Sequence, residues 1–387
     1  MIYLDNSATT KICPEALERY IEVSNDCFGN PSSLHSAGYL AEKTVSEARR
    51  TILSALGAKG AELIFTASGS EANNLAIFGR AYAKERYRRG AKIITSEGEH
   101  ASVSAPLSEL ERQGYKVVRI PTKCGKLDTG ALEREMTADV ILVTVMMVNN
   151  ETGALYDIEN LSRLMREHSR EAVLHIDATQ SFMKCPFSMQ RLGADMITVS
   201  SHKIEGPKGV GALAVSDAIM KSRGLAPMIL GGGQELGLRS GTENVPAIAA
   251  FGVATDIAKK SLGERYAKIE GLRQKLIENL TRSPALQAIS ITNPEHHAPH
   301  ILNLTLPNVK SETMLHYLSS LGILVSSGSA CSSNSAHISS ALLAYGRTER
   351  EADCSIRISF SHRNTEDDLD ELTRALESGL SKLARIR

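Results

Sequence analysis

Long apolar runs, net charge and paired cysteines are all missing from this 387-residue chain, and each absence removes a class of function. No uninterrupted apolar span approaches the roughly 20 residues that a membrane helix needs. The amino terminus, Met1-Ile2-Tyr3-Leu4-Asp5-Asn6, has neither a basic leader nor an apolar signal core. A cytoplasmic location with no membrane partner is expected. Forty-four Lys and Arg balance forty-four Asp and Glu, and without a long basic run direct binding of nucleic acid is disfavoured. A small substrate fits better. The six cysteines, Cys13, Cys27, Cys124, Cys185, Cys331 and Cys354, show no Cys-x-x-Cys spacing, so neither a metal site nor a dithiol centre is predicted. Cys13, Cys124, Cys185 and Cys354 read as small buried hydrophobes in a reducing compartment.

What is present is alternation. From residue 60 onward short β-branched runs alternate with helical patterns. Strands are predicted at Glu62–Thr66 and Lys92–Thr95, taken as the first two, then at Lys116–Ile120, Val140–Val145, Ala172–Ile176, Met196–Val199 and Gly211–Val215. This is an α/β chain with a mostly parallel sheet covered by helices. Past residue 258 the texture changes to a long helix near 262–281, strands at Ala288–Ile291 and Ile301–Thr305, and a closing helix after Thr365. The expected organisation is a large α/β domain over 14–258, with 1–13 and 259–387 forming a smaller α+β domain. Repeats, low-complexity tracts and proline-rich linkers are lacking, so the two domains should be packed together.

In open parallel sheets ligands sit beyond the carboxyl ends of the strands. Ala67-Ser68-Gly69-Ser70-Glu71-Ala72-Asn73-Asn74 follows the 62–66 strand; Gly69 admits a ligand close to the backbone, and Ser70 opens a helix suited to phosphate. A plain serine cap is the simpler alternative. Glu99-His100-Ala101-Ser102 puts an imidazole at the next strand end, and Asp177-Ala178-Thr179-Gln180 a carboxylate that could keep a pyridine nitrogen protonated or merely cap a helix. Ser200-Ser201-His202-Lys203-Ile204-Glu205-Gly206-Pro207-Lys208-Gly209 places a lysine at a strand end before a glycine-rich turn. Beside a carboxylate and a phosphate cradle, such an amine reads as the Schiff-base lysine of pyridoxal 5'-phosphate. Gly231-Gly232-Gly233 and Arg239-Ser240-Gly241-Thr242-Glu243-Asn244 supply a second backbone nest for an anion.

The remaining chemistry is a thiol among small residues, Ser326-Ser327-Gly328-Ser329-Ala330-Cys331-Ser332-Ser333-Asn334. Nothing there anchors a core, so a mobile exposed loop is expected, either working or incidental.

Together these segments resemble the NifS/IscS-type cysteine desulfurases, pyridoxal-phosphate enzymes of the class V aminotransferase family and fold type I. The resemblance runs end to end, from Tyr3-Leu4-Asp5-Asn6-Ser7-Ala8-Thr9-Thr10 and Gly29-Asn30-Pro31-Ser32-Ser33-Leu34-His35 through Val148-Asn149-Asn150-Glu151-Thr152-Gly153 to Ser355-Ile356-Arg357. It implies that Lys203 carries the cofactor, Asp177 pairs with its ring nitrogen, His100 stacks on the ring, and Gln180 and Asn150 meet the ring hydroxyl side. It further implies that Gly69, Ser70, Ser200 and His202 hold the phosphate, joined by Thr242 from the second subunit of a homodimer. Arg357, with Asn150, would clamp the carboxylate of L-cysteine. Cys331 would take the sulfur as a persulfide, helped by His100 as acid-base group, and release L-alanine. A sulfur-acceptor protein, such as an iron-sulfur scaffold or a tRNA-thiolation enzyme, would then be served.

Some positions depart from the family pattern: Ser68 for glycine, Ser70 for threonine, Glu205 for an aromatic or histidine, Leu236 for arginine, and His337-Ile338-Ser339 for a Glu-Pro pair. The segment from Cys331 to Gly346 resembles the long-looped group. His296, His297 and His300 match no metal template and read as a surface loop. A transaminase or selenocysteine lyase of the same fold, or an idle scaffold paralogue, are the competing readings.

Overall fold

The computed structural model describes residues 1–83, 91–327 and 338–383. Its strands in chain order are β1 (Ile2–Tyr3), β2 (Glu62–Thr66), β3 (Lys92–Ser96), β4 (Lys116–Ile120), β5 (Thr122–Lys123), β6 (Lys126–Leu127), β7 (Val140–Met146), β8 (Val173–Asp177), β9 (Met196–Ser200), β10 (Gly211–Val215), β11 (Ser290–Thr292), β12 (Ile301–Thr305), β13 (Ile323–Leu324), β14 (Ser326–Ser327) and β15 (Ser355–Ser359). Seven of them form a sheet in the order β2-β10-β9-β8-β7-β3-β4. β10 runs antiparallel to both neighbours, while β3, β4, β7, β8 and β9 are mutually parallel. The carboxyl ends of β2, β3, β7, β8 and β9 therefore share one edge. That edge carries every strand-end motif singled out from the sequence.

The central strands are apolar at nearly every position because both sheet faces are covered. β7, β8, β9 and β10 are buried along their whole length. One face packs Leu63, Phe65, Val143, Leu174 and Ile197 against Ile52 and Phe251 of the helices Ser36–Ala55 and Val245–Lys260. The other packs Ile64, Ile93, Leu142 and Met196 against Leu75, Val103 and Leu107 of the helices Gly69–Tyr82 and Ala101–Arg112.

A second sheet, β11-β12-β15-β14, has its own core, in which Leu302, Leu304, Ile356 and Ile358 meet Leu276 of the helix Leu262–Arg282 and Leu372 and Leu376 of the helix Glu366–Lys382. The closing helix starts where expected: Thr365 and Asp368 form a reciprocal capping box.

Three expectations need correction. The first strand is β1, which pairs in parallel with β13 and is too short to leave a periodic signal. The strand expected at Ala288–Ile291 begins instead at Ser290, since Leu286 to Ile289 close a turn through the Ile289 N–H to the Leu286 carbonyl. Cys124 is exposed, sitting at φ +51° in the β5–β6 turn, whereas Cys13, Cys27, Cys185 and Cys354 are buried.

Between β7, β8 and β9, the fully buried His175 bridges Thr144 Oγ1 (2.8 Å from Nδ1) and Thr198 Oγ1 (3.0 Å from Nε2). Burial pushes its imidazole from 6.5 down to about 4, against an opposing pull from Asp177. Between these values the unfolded chain binds a proton that the folded chain refuses, so stability is complete above pH 6.5 and falls as the pH drops. In denaturant titrations near pH 5, His175→Gln should flatten the pH dependence of unfolding by about one proton, about 1.4 kcal/mol per pH unit. An unchanged slope would place the refused proton elsewhere.

Candidate active site

A cavity of about 270 Å³ opens at the shared strand edge, lined by Ser7, Ala8, Ser68, Gly69, Ser70, His100, Asn150, Asp177, Gln180, Ser200, His202, Lys203 and Arg357 among others. Part of its wall is the turn after β2, with Ser68, Gly69 and Ser70. Ser68 is extended and its Oγ accepts the Glu71 N–H at 3.1 Å, making Ser68 the cap of the helix Gly69–Tyr82. The helix thus opens one residue before the expected Ser70, which lies in the first turn and lines the cavity. β10 starts directly against this turn. A Cβ on Gly211 would come within 2.5 Å of the Ser68 carbonyl carbon, so glycine is required there.

Asp177 ends β8, buried, with Oδ1 accepting the Thr179 N–H at 2.9 Å and Oδ2 accepting Asn73 Nδ2 at 2.8 Å. Asn73 also donates to Ser102 Oγ at 2.8 Å, and Ser102 Oγ lies 2.8 Å from His100 Nδ1. His100 Nδ1 accepts the Ser102 backbone N–H at 3.1 Å, which leaves the ring proton of the neutral imidazole on Nε2. Burial, then the cations Lys203 and Arg357, hold the His100 imidazole below its usual pKa, with Asp177 opposing. His100 is therefore neutral near pH 7 and presents a donor at Nε2. Asn73 has no signal of its own in the sequence, because only the fold joins it to Asp177 and Ser102.

Lys203 follows β9 in a short 3-10 turn, and its ammonium donates to the carbonyls of Ser7 (2.6 Å) and Ala8 (2.7 Å). The same amino-terminal strap binds the neighbouring histidine: Thr10 N donates to the His202 carbonyl at 2.9 Å, and Thr9 Oγ1 lies 3.1 Å from His202 Nδ1. Burial and then Lys203 push His202 down to about 4. Glu205, a departure from the family pattern, stands at φ +65° and pairs with Arg265 (3.1 Å) and Arg363 (2.8 Å).

Arg357 enters from β15. It donates from Nη1 to the Asn150 carbonyl at 2.8 Å and from Nη2 to Asp5 Oδ1 at 2.9 Å, while its buried Nε has no partner. Gln180 donates to the Ser7 carbonyl at 2.9 Å and accepts from Lys184 at 3.3 Å.

Thr242 is exposed and does not line the cavity of its own chain. Arg239 of the same nest is paired with Glu71 at 2.8 Å. Leu236 is 60 % exposed at φ +57°. Cys331 and His337 lie outside the described residues, but the flanks of that segment do not. Ser326 pairs with Arg357, and Ser339 donates to Glu151, the neighbour of Asn150. His297 pairs with Glu270 at 3.2 Å; His300 is buried, not on the surface as expected.

The family model described as Aminotransferase class-V matches residues 2–372. The chain is 37% identical to "Cysteine desulfurase IscS 1" of Archaeoglobus fulgidus over 384 residues, 99% of this chain and 98% of that protein. Among solved structures, a "NIFS-LIKE PROTEIN" superposes with a TM-score of 0.91 at 34% identity, covering 99% of this chain and all of that one (100%). One described as "SspA in complex with cysteine" gives 0.81 at 32% identity over 94% of this chain and 100% of that one.

The residues fit the pyridoxal phosphate on which this fold depends. Ser200 Oγ is buried at the cavity wall with no partner. A Cβ on Gly69 would fill the cradle, meeting Ser200 Cβ at 3.2 Å and Thr179 Oγ1 at 3.3 Å. Gly69→Val should accordingly weaken pyridoxal phosphate binding by about tenfold or more, about 1.4 kcal/mol, with unchanged far-ultraviolet dichroism. Retention of cofactor through gel filtration, read from the visible band, checks it; wild-type retention would show that the cradle is elsewhere.

Proposed function

The chain belongs to the class-V aminotransferase family, and we propose that within it this protein is a cysteine desulfurase: L-cysteine and an enzyme thiol give L-alanine and an enzyme persulfide. The observation that carries this reading is the convergence of Lys203, Asp177, His100 and Arg357 on one cavity. Bound pyridoxal phosphate supplies the electron sink that makes the amino acid's α-carbon acidic. The remaining work falls to side chains.

Arg357 binds the substrate carboxylate. Its two terminal nitrogens are fixed by Asp5 and the Asn150 carbonyl, so the guanidinium plane is set before substrate arrives and the unpartnered Nε faces a new acceptor. Lys203 moves the proton at the α-carbon. The Ser7 and Ala8 carbonyls hold its ammonium form within hydrogen-bond reach of the same cavity. Asp177, braced by Asn73 and the Thr179 N–H, would accept the ring N–H of the cofactor. Gly69, Ser70, Ser200 and His202 would hold the phosphate, and Gln180 and Asn150 would meet the ring hydroxyl side.

His100 presents its hydrogen-bond donor at Nε2, because Nδ1 already accepts the Ser102 N–H, so its part as acid-base group for the thiol runs through Nε2. Cys331 takes the sulfur: the substrate carbon–sulfur bond breaks, a sulfur–sulfur bond forms, and the thiol proton ends on the β-carbon of alanine. The atoms balance without an outside oxidant or reductant.

The active unit is a homodimer that passes sulfur to an acceptor protein, such as an iron-sulfur scaffold or a tRNA-thiolation enzyme. Apolar side chains left open on the two stretches carrying Phe28 and Leu34, and Leu230 and Leu236, support the dimer. So does Thr242, a proposed phosphate contact that is exposed and absent from its own chain's cavity. Persulfide chemistry suits the reducing cytoplasm, and no described helix is long and apolar enough to cross a membrane. Residues 14–258 form the large domain in this reading, with 1–13 and 259–387 the small one.

Mass spectrometry after incubation with L-cysteine should find one added sulfur on the Cys331 peptide and released alanine without any keto acid. Cys331→Ala should lower alanine formation on the order of 10²-fold or more; wild-type turnover in that variant would remove Cys331 from the reaction. Sedimentation of the holoenzyme as a monomer at micromolar concentration would overturn the dimer.

A further inference from the structure

Lys203 also lines a second, smaller cavity of about 50 Å³, closed in by the strap, by the junction of helices Val245–Lys260 and Leu262–Arg282, and by His300 and Phe360 beside the second sheet. A particle the size of a water molecule needs roughly 10–15 Å³ on this measure, so the space admits a small ion. Two of its polar walls are unsatisfied. His300 is 1 % exposed, and neither Nδ1 nor Nε2 has a hydrogen-bond partner. Lys184 presents an ammonium with three donors and makes one long hydrogen bond, 3.3 Å to Gln180 Oε1.

The charges around this space do not cancel. Lys184 and Arg265 line it with one carboxylate among the described residues, Glu205, and Lys203 reaches its wall from the larger cavity. Both oxygens of that carboxylate are taken, Oε2 by Arg265 and Oε1 by Arg363. Burial, then the Lys203 ammonium, pushes Lys184 down to about 7. Burial, then Lys184 and Arg357, holds His300 well below its usual range. The imidazole is thus neutral and offers one N–H toward a region of positive potential. A buried water would satisfy the ring but leave the field uncompensated; an anion does both.

We propose that this cavity is a binding site for a small inorganic anion of halide size, held between the His300 N–H and the Lys184 ammonium. Occupancy keeps Lys184 charged. Through the Lys184 to Gln180 bond it fixes the amide of Gln180, which lines the larger cavity, so the anion tunes that cavity from behind.

Crystals of the holoenzyme grown without halide and soaked in sodium bromide test the site by anomalous diffraction at the bromine edge. A peak touching both His300 and Lys184 is expected, lost in Lys184→Met and in His300→Phe crystals soaked alike. In solution the holoenzyme should broaden the bromide resonance above the level of Lys184→Met, and chloride should reverse the difference. Ordered water at this position in wild-type crystals overturns the proposal, as does a peak or a broadening that neither variant changes. The wild-type crystal alone decides occupancy, whether or not a variant folds.

Discussion

The strap from Asp5 to Thr10 is the constraint on which the site depends. It leaves the second sheet through the Ser359 N–H to the Leu4 carbonyl (2.7 Å) and Asn6 Nδ2 to the Ser359 carbonyl (2.9 Å), and then crosses to the first sheet. On the way Asp5 fixes Arg357, the carbonyls of Ser7 and Ala8 fix Lys203 and Gln180, and Thr9 and Thr10 fix His202. Arg357 and Lys203 come from different sheets with separate cores. One short length of backbone sets the distance between them.

Backbone carbonyls suit this purpose because they orient an ammonium without neutralising it. A carboxylate beside Lys203 would compete with any anionic ligand for the amine, whereas a carbonyl dipole steers it and leaves the cavity cationic. The carboxylates nearby are each engaged by partners of their own. Asp177 is braced by Asn73 and Thr179, Asp5 is tied to Arg357, and Glu205 is held between two arginines. Burial keeps His100, His175, His202 and His300 neutral near pH 7, so the cations at work are lysines and arginines.

Much of this was legible from the chain. β3, β7, β8 and β9 are apolar runs ending in polar motifs, and the rule that ligands sit past carboxyl ends led directly to His100, Asp177 and Lys203. The helix opens at Gly69 rather than at Ser70, since Ser68 and Ser70 carry the same hydroxyl and only the extended backbone of Ser68 distinguishes the cap. Asn73 and Asp5 have no role legible in the sequence, because their partners Ser102, Asp177 and Arg357 lie 29 to 352 residues away. Composition alone predicts a buried Cys124, yet it stands at φ +51° in the β5–β6 turn and is exposed.

The sequence by itself determined the parallel sheet, the order of the strand-end motifs and the chemical type of each group, because periodicity and residue chemistry are local properties. Contacts across the fold settled what holds Lys203 and Arg357, and that His300 and Lys184 share a cavity. Those facts depend on hydrogen bonds and burial between segments far apart in the chain, and no local pattern records them.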